Sequence, residues 1–236
     1  MILISDDGTQ TVDFDIPEQY KKIGVNCSGG ADSGILLYIV VDYLMQSNRT
    51  DATVSVSTCA NDFKHRWNGR KAADVINWII DKTGFENFDM HYTYYRDKQD
   101  VKYFTEVERG LFLQERIDIL VNGITSNPLS ECIVEDANGN TVDLLETGLD
   151  VRNVDSNTPA LHQGERYAFY KPFHTIDKKF IASMYRQYNA MELFDLTRSC
   201  EAVPDELYNS YDPKFEQEPC RTCWWCLERK WAFGRY

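Results

Sequence analysis

The stretch Lys22-Ile23-Gly24-Val25-Asn26-Cys27, followed by Ser28-Gly29-Gly30-Ala31-Asp32-Ser33, decides how the rest of the chain is read. Its first half is the short apolar run of a buried strand, and its second half is a glycine-rich turn. Beyond the turn Ile35, Leu36, Ile39, Val40, Tyr43 and Leu44 recur at helical spacing. Strand, turn and helix in that order make an anion site. The paired glycines can take backbone angles barred to other residues and so turn successive N–H groups inward. Ser28 and Ser33 add hydroxyl donors, and the helix presents its positive end. The turn has neither the lysine of a GxxxxGKS/T loop nor the GxGxxG of a dinucleotide fold. A tight βα connection in which Asp32 or Ser33 simply caps the helix is the competing reading of the same six residues.

Outward from this turn, strand and helix patterns alternate. Residues 1–20 predict an N-terminal hairpin, broken by Asp6, Asp7 and Gly8. Residues 52–57 are β-rich, Ala72, Val75, Ile76, Ile79 and Ile80 mark a helix closed by Gly84, and residues 88–95 form a third strand. A weaker helix over 101–116 leads to a compact strand at 118–122. This alternation predicts an α/β fold, a parallel sheet with helices on both faces. Later, Asn138-Gly139 between two apolar runs predicts a hairpin inserted near 130–165, followed by a polar loop with Pro159 and Gly164. A strand over 167–173 and a helical stripe of Phe180, Ile181, Met184, Tyr185 and Tyr188, capped by Asp177, follow. We expect one α/β domain over 1–195 and an appended C-terminal lobe over 196–236.

Composition narrows the partners. With 37 acidic against 25 basic residues the net charge is −12, which opposes a groove tracking a phosphate backbone, so nucleic acid is not an expected partner. No apolar run reaches the length of a membrane helix, and the opening MILISDDGTQ lacks the pattern of a secretory signal. A soluble, cytoplasmic protein with a small-molecule or protein partner is expected. Of seven cysteines, Cys200, Cys220, Cys223 and Cys226 are grouped late, the last three in Cys-x2-Cys-x2-Cys spacing, while Cys27, Cys59 and Cys132 are scattered. In a reducing compartment that grouping reads as one metal site and three ordinary thiols. Four thiolates suit tetrahedral zinc, and the spacing also suits an iron–sulfur cluster.

The string SGGADS resembles the SGGxDS pyrophosphate loop of the PP-loop ATP pyrophosphatase superfamily. Members bind ATP at the carboxyl ends of a parallel sheet and cleave between the α- and β-phosphates. The resemblance implies that Ser28, Gly29, Gly30, Ala31, Asp32 and Ser33 hold the pyrophosphate with Mg2+, and that Ser57 and Thr58 face the adenine. Three further segments, Thr197-Arg198-Ser199-Cys200, Cys220-Arg221-Thr222-Cys223-Trp224-Trp225-Cys226 and the following residues through Phe233, resemble the zinc-binding C-terminus of the 7-cyano-7-deazaguanine synthase family. Lys171-Pro172-Phe173 and Asp177-Lys178 are similar to segments upstream of it in that family. The similarity is clearest over 22–58 and 168–236.

The second resemblance implies a ligase that adenylates 7-carboxy-7-deazaguanine and uses ammonia to form the amide and then the nitrile, releasing AMP and pyrophosphate. It implies Zn2+ on Cys200, Cys220, Cys223 and Cys226, and Lys178 with Asp32 as catalytic groups. Arg198, His65, Arg66 and Gly123 are candidates for substrate contact. The chain departs from the family at Gly34-Ile35, at Phe63-Lys64-His65-Arg66 and at Gly123-Ile124-Thr125-Ser126-Asn127-Pro128. These departures leave the acceptor open: an amide-only variant, adenylation of a protein carboxylate, sulfur transfer through Cys27 or Cys59, and an adenylate-binding module without turnover all compete. Homodimerisation is a further expectation of the resemblance.

Overall fold

The computed structural model describes the backbone of residues 1–60, 67–95, 101–146, 159–164, 167–200 and 218–236, and the side chains of these except residues 95 and 101–105. The N-terminal hairpin pairs β1 (Ile2–Ile4) with β2 (Thr11–Asp13). The central sheet contains β3 (Lys22–Asn26), β4 (Thr53–Ala60), β5 (Phe88–Tyr95), β6 (Ile119–Asn122), β9 (Leu161–Gln163) and β10 (Ala168–Tyr170). Its order is β5-β4-β3-β6-β10-β9. All neighbours are parallel except β9, which runs antiparallel to β10 at the edge. From β3 the chain moves outward to β4 and β5, then returns to lay β6 on β3's other side. The order therefore reverses between β3 and β6, where open α/β sheets bind ligands beyond their carboxyl ends.

Helix α1 (Ala31–Gln46) is apolar around most of its circumference because it is enclosed. One side meets the sheet, and α2 (Asn68–Thr83), α4 (Lys178–Gln187) and α5 (Met191–Leu196) pack around the rest. Alternation in the strands sorts the two faces. Ile23, Val25, Ile119 and Val121 join the core with α1, whereas Leu120 joins Leu111 and Phe112 of α3 (Val101–Leu113) on the opposite face. Gly24 is part of that second face: a Cβ there would lie 3.0 Å from Ile117, so the glycine admits the isoleucine. Helices on both faces of a mostly parallel sheet is the expected fold class.

Local signals sit where the sequence places them. Gly84 closes α2 with φ +70°, and its N–H donates to the Ile80 carbonyl at 2.8 Å. Asp177 caps α4 by accepting from the Lys179 N–H at 2.9 Å. It also exchanges hydrogen bonds with Gln10, which docks the N-terminal hairpin on α4. The hairpin of β7 (Ile133–Glu135) and β8 (Thr141–Asp143) turns through Gly139 at φ +84°. Its Val134, with Cys132 and Leu144, packs on Trp224 and Leu227 of the C-terminal helix α6 (Trp224–Phe233).

Two expectations change. Within the segment read as polar loop, residues 161–163 form β9: backbone pairing to β10 makes them an edge strand although Leu-His-Gln carries little apolar signal. The remainder of that segment, 147–158, lies outside the described residues. Helix α5, six residues long, has no counterpart in the sequence reading because so short a run shows no full helical period. Among the described residues no helix is long and apolar enough to cross a membrane.

Candidate active site

The glycine turn leaves β3 at the point of strand reversal. Gly29 has φ +74°, and a Cβ on it would fall 2.4 Å from the Cβ of Lys71 in the first turn of α2. Both the angle and the space demand glycine there. Ser28 and Ser33 brace the loop from inside. The Ser33 hydroxyl accepts from the Ser28 N–H at 3.1 Å and donates to the Gly30 carbonyl at 3.2 Å, and Ser28 Oγ accepts from the Gly30 N–H at 3.3 Å. Gly30, not Asp32 or Ser33, is the N-cap of α1, and neither of those two side chains caps the helix. The simple capping account of the turn therefore fails.

Asp32 is engaged elsewhere. Lys178, at the start of α4, reaches it with Nζ 2.5 Å from Oδ2 and lies 3.4 Å from Glu228 Oε2 of α6. The lysine is 2% exposed and Glu228 is fully buried at 0%. A buried ammonium persists there because two carboxylates face it. Asp32 Oδ1 is buried and has no hydrogen-bond partner among the described residues. Gly123, just past β6, closes the opposite wall: a Cβ there would sit 3.2 Å from the Asp32 carbonyl group.

The segment after α5 stitches the C-terminus to the turn. The Arg198 N–H donates to the Gly29 carbonyl at 2.8 Å, and the Ala31 N–H donates to Ser199 Oγ at 3.3 Å. The Arg198 guanidinium lies 3.8 Å over the Trp67 ring and donates to the Glu218 carbonyl at 2.7 Å. Burial lowers its pKa, with the Cys200 sulfur opposing. Arg229 of α6 donates to Thr197 Oγ1 and to the Phe194 carbonyl, at 2.9 and 2.8 Å, and burial brings its pKa down to about 10. Lys71, whose Cβ abuts Gly29, has its pKa lowered by burial and its Nζ 3.8 Å from Asp74 Oδ2.

Ser57 and Thr58 lie alongside. Ser57 Oγ donates to Asn26 Oδ1, and Thr58 Oγ1 donates to the Cys27 carbonyl at 2.7 Å while lying 2.8 Å from His91 Nε2. Their hydroxyls thus tie β4 to the end of β3. Cys27 is wholly buried and burial raises its thiol pKa, the reverse of what a sulfur nucleophile needs. His65 and Arg66 lie outside the described residues. Lys71, Ser199 and Glu228 were not singled out for the site from sequence. Their roles depend on contacts across the fold and no spacing rule announces them.

The four late cysteines converge. The sulfurs of Cys200, Cys220, Cys223 and Cys226 lie within 4.8 Å of one another and could hold a metal ion. Backbone N–H groups of Cys220 and Cys223 point at the sulfurs of Cys200 and Cys220, at 3.4 and 3.3 Å, as donors do around thiolates. The neighbouring thiols, Cys200 first, hold Cys220 far down and push Cys223 and Cys226 far up. Four thiols this close cannot all ionise without a cation among them.

No protein-family model and no curated protein sequence matches the chain. Among solved structures it is similar to the NMN synthetase from Francisella tularensis, at 11% identity over 91% of this chain and 84% of that one, with a TM-score of 0.42. It is also similar to the U34-tRNA thiolase NcsA from Methanococcus maripaludis with its 4Fe-4S cluster, at 14% identity, 90% and 69% coverage and a TM-score of 0.43. A third is the NAD+ synthetase from Burkholderia pseudomallei, at 12% identity, 92% and 75% coverage and a TM-score of 0.36.

Proposed function

We propose that the chain is an ATP-dependent ligase that activates a carboxylate as its adenylate, with release of pyrophosphate, and passes the acyl group to ammonia. The observation that carries this reading is the turn itself. Gly29 at φ +74° turns the chain from β3 into α1, whose positive end faces the point where the strand order reverses, the place where such folds receive an anion. A carboxylate resists ammonia because its charge repels the nucleophile and oxide is a poor leaving group. Attack of the carboxylate oxygen on the α-phosphorus removes both obstacles, and the departing pyrophosphate is stabilised by the turn, Lys71 and Arg198. Such a reaction needs positioning and charge stabilisation more than a protein nucleophile.

Asp32 Oδ1, buried and unpartnered, fits a divalent cation such as Mg2+, which would supply charge neutralisation to the phosphates. Lys178 fixes the other oxygen of that carboxylate. The four cysteines fit Zn2+ by donor number and type, and the metal would anchor α6, the helix that carries Glu228 and Arg229 to the site. For the acceptor we propose 7-carboxy-7-deazaguanine, with the amide and then the nitrile as products, on the resemblance of residues 168–236. The test is incubation with α-labelled ATP, this acid and ammonium. AMP and pyrophosphate in amounts equal to each other are expected, with amide and then nitrile as products, and release of ADP would overturn the adenylation reading.

A further inference from the structure

The face of the sheet opposite α1 carries a second set of polar groups at the carboxyl ends of its strands. Asn26 and Asn122 are register partners across β3 and β6. Tyr170 pairs with Val121, so Lys171 follows level with Asn122. Helix α3 covers this face, its Phe112 ring 5.6 Å from Phe169. One turn before Phe112, on the same side of the helix, stands Glu108. It is 8% exposed, and one carboxylate oxygen accepts from Asn26 Nδ2 at 2.8 Å. Asn26 is itself held by Ser57 on its amide oxygen, so the chain Ser57–Asn26–Glu108 fixes the carboxylate. Among the described residues its second oxygen makes no hydrogen bond. Burial raises the pKa of Glu108 against the opposing effects of the Asn26 hydrogen bond and the Lys171 charge. That second oxygen is not sealed from solvent, so it stays open to a donor arriving from outside the fold.

We propose that Glu108 receives the nitrogen nucleophile of the ligation, binding ammonium or a primary ammonium group and acting as the base that deprotonates it. The inference rests on the adenylation reading above and extends it to the acceptor side. Glu108 stands beside Asn26, two residues before the phosphate-binding turn, on the sheet face away from α1. Ammonium gives one proton to the carboxylate, which passes it to water. The freed electron pair of nitrogen forms the C–N bond, and nitrogen's second proton goes to Glu108. The C–O bond to the phosphate breaks, and its electron pair leaves with AMP. A carboxylate whose proton affinity has been raised suits this task better than an exposed one.

Wild type, Glu108→Gln and Glu108→Asp are assayed with ATP and 7-carboxy-7-deazaguanine, using ammonium chloride or hydroxylamine as the nucleophile. Pyrophosphate exchange reports activation, and amide or hydroxamate reports transfer. In Glu108→Gln the ratio of amide formed to pyrophosphate exchanged should fall by about 10²–10⁴-fold, the usual contribution of a general base. Hydroxylamine, uncharged at neutral pH and so needing no first deprotonation, should restore part of that ratio, and Glu108→Asp should lie between. An unchanged ratio, including one in which both steps fall together, would overturn the assignment. Absence of any AMP from wild type would instead overturn the ligase reading, and this inference with it.

Discussion

A side-chain carbon at Gly29 would overlap the Cβ of Lys71, at 2.4 Å, and would also press on the backbone nitrogen of Ala72 at 2.9 Å. Helix α2 therefore lies directly beneath the turn, and only a residue without a side chain lets the two meet. Gly29→Ala should lose about 1–2 kcal/mol for its positive φ alone, and more for the overlap. Gly139 is the natural comparison, with φ +84° and open space around it, so Gly139→Ala should lose only the conformational part. Thermal unfolding and calorimetric ATP titration check the pair. Gly29→Ala should melt lower than Gly139→Ala and lose ATP binding, while Gly139→Ala should bind as wild type does.

Replacing Lys178 by Met removes the ammonium shared by Asp32 and Glu228 and leaves Glu228 fully enclosed beside a second carboxylate. Breaking a buried pair from one side costs about 3–5 kcal/mol, most of it for the abandoned charge. The double variant Lys178→Met/Glu228→Gln removes one of those charges and should recover part of the loss. Denaturant titrations of both variants and of Glu228→Gln alone measure this. Strict additivity of the single substitutions would show that the two groups do not interact.

The glycine turn and the parallel sheet are legible in the sequence because each is written in neighbouring residues. An apolar run, two glycines and a helical stripe occupy residues 22–44, and Gly84, Asp177 and Asn138-Gly139 punctuate the elements they close or open. Cysteine spacing likewise announces the late cluster. What the chain hides is whatever is decided by distant pairing. Lys178 and Asp32 stand 146 residues apart, and Asn26 meets Glu108 across 82. Periodicity places Glu108 on a helix without saying which strand end it faces. The edge strand β9 is made by its partner β10, and α5 is too short to display a period.

Metal loss should be felt at the glycine turn as well as at the cysteines. Helix α6 begins at Trp224, immediately after Cys223, and carries Cys226, Glu228 and Arg229 within its first two turns. Releasing the metal frees the start of that helix, so both the melting temperature and ATP affinity should fall on chelation or in Cys223→Ser. Elemental analysis should give one zinc per chain in colourless protein. Brown protein with visible absorption would identify an iron–sulfur cluster instead. Retention of full ATP affinity after chelation would separate the metal from the nucleotide site.

Glu108 should also mark itself in the pH dependence of stability. Its pKa is raised in the folded chain, so the folded state holds the proton more tightly than the unfolded state does. Its contribution to stability is present at pH values below the ordinary glutamate range and is lost as pH rises through the folded-state pKa. Glutamine removes that loss while keeping an oxygen for Asn26 Nδ2. Lys171 is the charged group that acts on Glu108 among the described residues, while Asn26 and the level Asn122 are neutral, so no other charge there offsets the change. Glu108→Gln should therefore match wild type in acid and exceed it at neutral pH, as measured by denaturation midpoints across that range. A gain in stability paired with a loss of amide transfer is the signature of a group retained for chemistry rather than for folding. A variant less stable than wild type at neutral pH would assign the carboxylate a structural role.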